Sequence, residues 1–486
     1  MPQQTFIICV TLWTLVEATG VMAAVRWRQT PWISFPLFFR LPWAVFTLFA
    51  AWFCITTGDY DVMVKGFPLP VWTFGVVLEL AYLPAFFAAY AVTLLVHRHR
   101  QGPPSLPWNR MSLSPKAVWV LWGFYAVAAF AALTAPEASY ARLTTMNIRE
   151  SGAMTTRLAS FRTFFITFYW PAYAALVAGF LSRRETRGPL PGRHAMPVIA
   201  ATGVSLVLLA RLVAVGQRSM MFEPLVLLGM VLLWKRRYRL AAVLACGLTV
   251  VVVLTAGLFE RFRTQTMTME GGLSARFSTL AETDQFLSPG ERVTEAVRAL
   301  ARRGDLQFNG GLLADYAHIH GFSRWAPYKG ILFFAVPKIL MPNKPVPRSE
   351  DGTYSGLAVH IASRMRTHGM GPDYGTATVS DASEAYWQFG FAGVILTGLI
   401  SGFWTAACSV MFLRRGHPLG LFLFLTIRPG GALTTILFHQ VLRKFVPYLI
   451  LCAIVARIRP WAYQRMPSNC DAAAPQPASM KDPATA

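Results

Sequence analysis

The sequence predicts an all-α polytopic membrane protein with about eleven transmembrane helices and one large, partly helical outer loop. Three observations carry that prediction. Hydrophobic residues make up 54% of the 486-residue chain and charged residues only 14%, against about a quarter charged in a soluble domain. Apolar runs of spanning length recur along the chain. The loops that join them alternate between strongly basic and neutral or mixed.

The spans fall near 5–25, 41–57, 71–96, 117–136, 161–182, 197–216, 220–234, 240–259, 385–413, 418–438 and 445–458. The first holds Glu17 and lacks a basic leader, so it is expected to remain as a span rather than be cleaved as a signal peptide. Arg26, Arg28 and Arg40 fill the first loop, and GDYDVMVKG, slightly acidic, follows the second span. Arg98, Arg100, Arg110 and Lys116 make the third loop basic, RRETRGPLPGR the fifth and KRRYR the seventh; RRGH follows span nine. Basic loops stay in the cytoplasm. The N-terminus is therefore expected outside and the C-terminus inside.

Four regions follow: an N-terminal transmembrane bundle (1–259), a large periplasmic loop (260–384), C-terminal transmembrane helices (385–460) and a cytoplasmic tail (461–486) whose Ala, Pro and Ser content reads as disorder.

The net charge of +22 would suggest nucleic acid in a soluble chain. Here no polar surface run interleaves basic and aromatic residues, so the excess reads as topology signal and attraction to anionic lipid, with no nucleic-acid partner. Cys9, Cys54, Cys246, Cys408 and Cys452 lie in apolar segments and Cys470 in the tail, so the outer loop has no disulfide frame. No Cys/His spacing suggests zinc, and no metal or other cofactor is expected.

The outer loop carries a helix start. Ser288-Pro289-Gly290-Glu291 is a capping box, with Val293, Val297 and Leu300 as an apolar stripe behind it and Arg298, Arg302 and Arg303 at the far end. Residues 329–342 are apolar, Pro-broken and too short to span, which suits a re-entrant or interfacial segment.

Chemistry concentrates in three places. Lys338, Lys344 and Arg348 sit among Pro337, Pro342, Pro345 and Pro347. Proline holds such cations in place at little further entropic cost, which suits a phosphate or diphosphate group; lipid phosphates would fit the same loop. Arg218 lies in Gly216-Gln217-Arg218-Ser219, a short outer turn between two spans, with Arg211 and Glu223 in the membrane nearby, either as a structural ion pair or with a direct role. Arg428, Glu17 and Glu79 also fall within spans. Glu384 enters span nine from outside, either as a cap favoured by the helix dipole or as a base or sugar-hydroxyl ligand. His318, His320, His360 and His368 are expected as solvated loop residues, and nothing in the sequence ranks them.

These segments together resemble the bacterial O-antigen polymerase family, the Wzy-type oligosaccharide repeat-unit polymerases. The matching residues are Gly216–Arg218 with the helix MMFEPLVLLGMVLLWKRR behind it, the Pro-Lys…Pro-Asn-Lys-Pro stretch 337–345, and Glu384-Ala-Tyr-Trp-Gln-Phe-Gly-Phe-Ala-Gly393. Lys338 departs from the pattern, which has Arg after the first proline. The resemblance implies a GT-C-like architecture in the bacterial inner membrane. It also implies a metal-independent inverting glycosyltransferase that moves a glycan from undecaprenyl diphosphate to the sugar of another lipid-linked repeat unit.

Arg218, Lys338 and Lys344 would then bind the diphosphate, joined by Arg348 from its position, and Arg218 and Glu384 would be catalytic, with a loop histidine as the other choice of base. Arg211, Glu223, His360 and His368 would support them. The expected partners are the lipid-linked oligosaccharide donor and acceptor and membrane lipid, with room for a chain-length regulator and a flippase of the same pathway. An O-antigen ligase, a lipid-linked glycan flippase and a non-catalytic envelope scaffold are the rival readings.

Overall fold

The computed structural model describes residues 2–26, 47–60, 69–101, 115–133, 238–247, 288–301, 306–324 and 379–410, with isolated positions 200, 201, 204, 229, 232 and 278. Every regular element among the described residues is a helix. In chain order they are α1 (Pro2–Arg26), α2 (Thr47–Thr57), α3 (Leu69–Gln101), α4 (Pro115–Leu133), α5 (Tyr238–Gly247), α6 (Pro289–Ala301), α7 (Leu306–His320) and α8 (Asp381–Ser409). Among them α3 and α8 are each long and apolar enough to cross a bilayer. The expected spans at 5–25, 71–96 and 117–136 correspond to α1, α3 and α4. Those at 161–182, 418–438 and 445–458 lie outside the described residues, as do nearly all of 197–216 and 220–234.

Helix α3 is the hub, packed against α1, α7 and α8. Ring and glycine contacts give the directions. Phe6 stacks on Trp72 with ring centroids 4.7 Å apart, and Gly20, further along α1, meets the Phe87 ring. Helices α1 and α3 therefore run parallel. The Trp52 indole donates to Thr14 Oγ1 at 3.1 Å, while Tyr60, beyond α2, reaches back to Phe6 at 6.1 Å, so α2 returns antiparallel. Tyr386 meets Phe74 at 5.2 Å, Gly398 lies against the Tyr82 carbonyl and Gly402 against that of Phe86, and Tyr90 packs with Ala406 and Val410. Helix α8 thus also runs parallel to α3.

Helix α8 is inside-out relative to a helix on a water-soluble core. Its buried face carries Thr397, Gly398, Ser401, Gly402, Thr405 and Ser409, whereas Phe391, Ile395, Leu396, Leu399, Ile400 and Phe403 are exposed. In water large apolar side chains seek the interior. Against lipid tails that drive vanishes, and close backbone approach through small residues decides the interface. A side chain at Gly398 would stand 2.7 Å from the Tyr82 carbonyl oxygen, so the Gly398-x-x-x-Gly402 face is what lets α8 reach α3. Glu17 and Glu79 are also buried, in α1 and α3.

The capping box forms as the sequence predicts. Ser288 N–H and its hydroxyl both donate to Glu291 Oε2 at 2.8 Å, and Glu291 N–H donates back to Ser288 Oγ at 3.3 Å. The apolar stripe is shifted from its expected course: Ala296 and Ala301 are buried, Val297 is half-buried and Val293 is exposed. Arg298, at the other end, pairs with Asp59 at 3.8 Å and ties α6 to the turn between α2 and α3. Being exposed, that pair contributes little stability.

Ser288→Ala should therefore cost about 1 kcal/mol of local helix stability, read as faster amide exchange over 289–295, with little change in any activity of the chain. The cap has a pH signature as well. Hydrogen bonds from the Ser288 side chain and backbone hold the Glu291 carboxyl below its usual range. A depressed folded-state pKa means the cap is fully in place above the unfolded carboxylate value and is lost as pH falls through the lower, folded one. Exchange over α6 should accelerate in that acidic window alone, and Ser288→Ala should weaken the acceleration without abolishing it, because the backbone N–H of residue 288 still donates to Glu291.

Candidate functional site

The N-terminal end of α8 is polar and closed. Ser380 caps it from an extended conformation (φ −79°, ψ 161°), its Oγ accepting from the Ser383 amide at 3.3 Å and lying 2.8 Å from Ser383 Oγ. Asp381 and Glu384 occupy the first turn, where carboxylates suit the positive end of the helix dipole. Residues 381–388 are buried all round, wedged against α3 and α7. The wedge depends on two adjacent glycines of α7. A side chain at Gly310 would collide with Ser383 Oγ, and one at Gly311 with the Val71 carbonyl of α3. Asn309, beside them, is fully buried.

Glu384 is 2% exposed, and the Gln388 amide, one turn on, donates to its Oε1 at 3.3 Å. The sequence reading placed Glu384 at the membrane face as a cap or a base. The structure makes Ser380 the cap and sets Glu384 one turn inside, enclosed, because α7 and α3 cover that turn from both sides. Helix α8 likewise begins at Asp381, ahead of the boundary placed at 385.

Immediately after Gln388 the helix breaks. Phe389 (φ −137°, ψ 15°) and Gly390 (φ 65°, ψ −156°) leave helical geometry. The Gly390 conformation is open to glycine and strained for any other residue. The break frees the carbonyls of Trp387 and Gln388, and the turn that follows α7 satisfies them: the Ser323 and Arg324 amides donate to these two oxygens at 3.0 Å each. The turn is thereby fixed to the break, with Phe322 over Gly390.

Beside the break lies an aromatic cluster. The Tyr386 ring stands edge-on to Phe74 (5.2 Å), Phe391 (5.2 Å), Phe322 (5.7 Å) and His318 (5.8 Å). Tyr386 Oη is 2.7 Å from His318 Nε2, with the proton on either partner according to the imidazole tautomer. His318 and His320 belong to the last turn of α7, not to a solvated loop as expected, and cations suit that end of a helix. His318 is exposed, as are parts of Phe322 (46%) and Phe391 (44%). The top of α8 therefore carries two features, an enclosed first turn with the buried carboxylates Asp381 and Glu384, and an accessible rim of His318 with aromatic rings. Among the described residues, no three of His, Cys, Asp or Glu stand close enough together to hold a metal ion.

Of the charged and histidine residues singled out from sequence as site candidates or intramembrane groups, the structure positions Glu17, Glu79, Glu384, His318 and His320. Arg218, Lys338, Lys344, Arg348, Arg211, Glu223, His360, His368 and Arg428 lie outside the described residues. Sequence reasoning missed Asn309, Asp381, Gln388 and the His318–Tyr386 pair. The available signals were Gln388 four residues after Glu384, a helix neighbour, and the polar run Ser380-Asp381-Ala382-Ser383 at the mouth of an apolar segment. No family model, curated protein or solved structure matches this chain.

Proposed function

We propose that this chain is a membrane glycosyltransferase, a polymerase of oligosaccharide repeat units carried on a lipid diphosphate, with about eleven spans and its site at the outer face of a bacterial inner membrane. The observation that carries the reading is the accessible rim at the top of α8: a His–Tyr pair among half-exposed aromatic rings, next to an enclosed polar first turn, on a helix whose exposed residues further along are large and apolar. Such rings suit a sugar, whose C–H groups carry partial positive charge toward the ring face. The site stands where a membrane-anchored glycan would present its first sugars.

In the reaction an acceptor hydroxyl attacks the anomeric carbon of the donor glycan. The bond from that carbon to the phosphate oxygen breaks, its electron pair leaves with the lipid diphosphate, and single displacement inverts the centre. The hydroxyl proton passes to a base. Glu384, enclosed at 2% exposure, fits the role of a positioning carboxylate that orders the helix top. His318, exposed and held by Tyr386, is the titratable group of the cluster within a substrate's reach. The departing charge calls for fixed cations, the role read from sequence for Arg218, Lys338, Lys344 and Arg348.

The break at Phe389–Gly390 favours a second reading, a lipid-linked glycan transporter, because transporters use interrupted helices to bind substrate and to rock. Purified full-length protein given a lipid-linked repeat unit separates the two. The polymerase makes longer glycans on the lipid, and does so undiminished in EDTA, since cationic side chains take the metal's part. A transporter leaves glycan length unchanged; extension that EDTA abolishes and magnesium restores would replace the cation-only mechanism.

A further inference from the structure

We infer that Arg324, a residue none of the sequence motifs includes, binds a phosphate group at the membrane surface beside the top of α8. Among the described residues it is the only non-glycine with positive φ, 49°. L-residues avoid that region because Cβ crowds the following carbonyl, and glycine or asparagine would occupy it at lower cost. An arginine kept in a glycine's place points to use of its side chain rather than of its backbone.

The surroundings say what that use is. The Arg324 amide donates to the Gln388 carbonyl and its neighbour Ser323 donates to Trp387, both at 3.0 Å, so the backbone beneath the side chain is fixed to the break in α8. Arg324 is exposed, and its guanidinium pairs with no carboxylate among the described residues. Two positions earlier, half-exposed Phe322 covers Gly390 and meets Tyr386. The turn thus presents a planar fork of donors next to an aromatic rim, on a rigid base, at the end of a lipid-facing helix. A guanidinium fork matches two oxygens of a phosphate, and a fixed backbone spares much of the ordering cost of binding.

The shared chemistry is a phosphate on a lipid, from either a prenyl diphosphate or an ordinary anionic phospholipid. The inference deepens the polymerase reading, which names the diphosphate, while the phosphate site itself is testable without any extension assay.

Binding of farnesyl diphosphate to the full-length protein in phosphatidylcholine nanodiscs tests it, by tryptophan fluorescence. Arg324→Gly relieves the backbone and deletes the fork, so it should keep a Tm no lower than the wild type's while weakening the Kd about tenfold. Arg324→Lys should recover part of the loss, because it returns the charge without the planar geometry. In a second arm phosphatidylglycerol replaces half the phosphatidylcholine. If it competes with farnesyl diphosphate on the wild type but not on Arg324→Gly, ordinary lipid phosphate is the natural occupant; if it does not compete, the prenyl diphosphate is. Unchanged affinity in Arg324→Gly in both arms overturns the inference. Absence of glycan extension by a wild type that binds the probe would end the polymerase reading and leave the phosphate site standing.

Discussion

His318→Gln should lower glycan extension by about 100-fold or more, the scale of losing a general base. The substitution keeps a planar polar side chain in the last turn of α7, so folding should survive. Tyr386→Phe should be milder, about tenfold, because it removes only the hydroxyl that sits 2.7 Å from Nε2 and orients the imidazole, and leaves the edge-on ring packing with Phe74 and Phe391 in place. If His318 were only a cation suited to the end of its helix, both changes would be slight and similar. Glu384→Ala tests the enclosed first turn of α8 apart from the rim. It removes the acceptor of the Gln388 amide in a closed site, which should cost about 1–3 kcal/mol of stability. Extension per folded molecule should then fall much less than in His318→Gln. Full loss in Glu384→Ala at wild-type stability would return the base to Glu384.

The helices that sequence located well are those whose evidence is local. The apolar run expected at 71–96 is Leu69–Gln101, and that at 117–136 is Pro115–Leu133, because twenty apolar residues in a row leave few alternatives. The start of α6 was equally legible, since a capping box is written in four residues. Helix α7 was not. Gly310 and Gly311 lower its helix propensity by about 1 kcal/mol each, and what offsets that is their contact with Ser383 and Val71, which belong to two other helices. The interruption of α8 was hidden for a related reason. The run Gln388-Phe389-Gly390-Phe391 reads as continuous span, and only the amides of Ser323 and Arg324, from a segment more than sixty positions earlier, make the break tenable.

The candidate site divides along the same line. Glu384 was legible as a carboxylate at a span mouth, but its enclosure depends on which helices cover the first turn of α8. His318 could not be told from the other histidines, because its partner Tyr386 is sixty-eight positions away and its aromatic setting comes from α3 and α8 as well as from the turn after α7. The inside-out face of α8 shows the converse. Thr397, Ser401 and Thr405 at four-residue spacing were in plain sight, yet they become evidence about lipid only once that face is seen to be the buried one.

Arg218→Ala should lower extension by about 100-fold or more, the loss that follows removal of one transition-state donor. The sequence reading expects Arg218 in a short outer turn between two spans, where its guanidinium would work at the level of a lipid phosphate. As the diphosphate departs, its bridging oxygen gains charge, and a donor that binds it more tightly in the transition state than in the substrate speeds the step. Arg218→Lys should recover only part of the rate, because a point charge cannot span two oxygens as the planar fork does. Membrane levels should match the wild type's, since an outer-turn arginine contributes little to helix packing. An arginine that merely anchors the turn at the lipid surface gives another pattern: both variants mild, and lysine nearly silent. The proposed role of Arg324 adds a further comparison. If Arg218 acts on the leaving group and Arg324 on ground-state binding, Arg218→Ala should chiefly lower kcat for extension and Arg324→Gly should chiefly raise KM. Wild-type extension by Arg218→Ala at matched protein levels would end the claim for that residue.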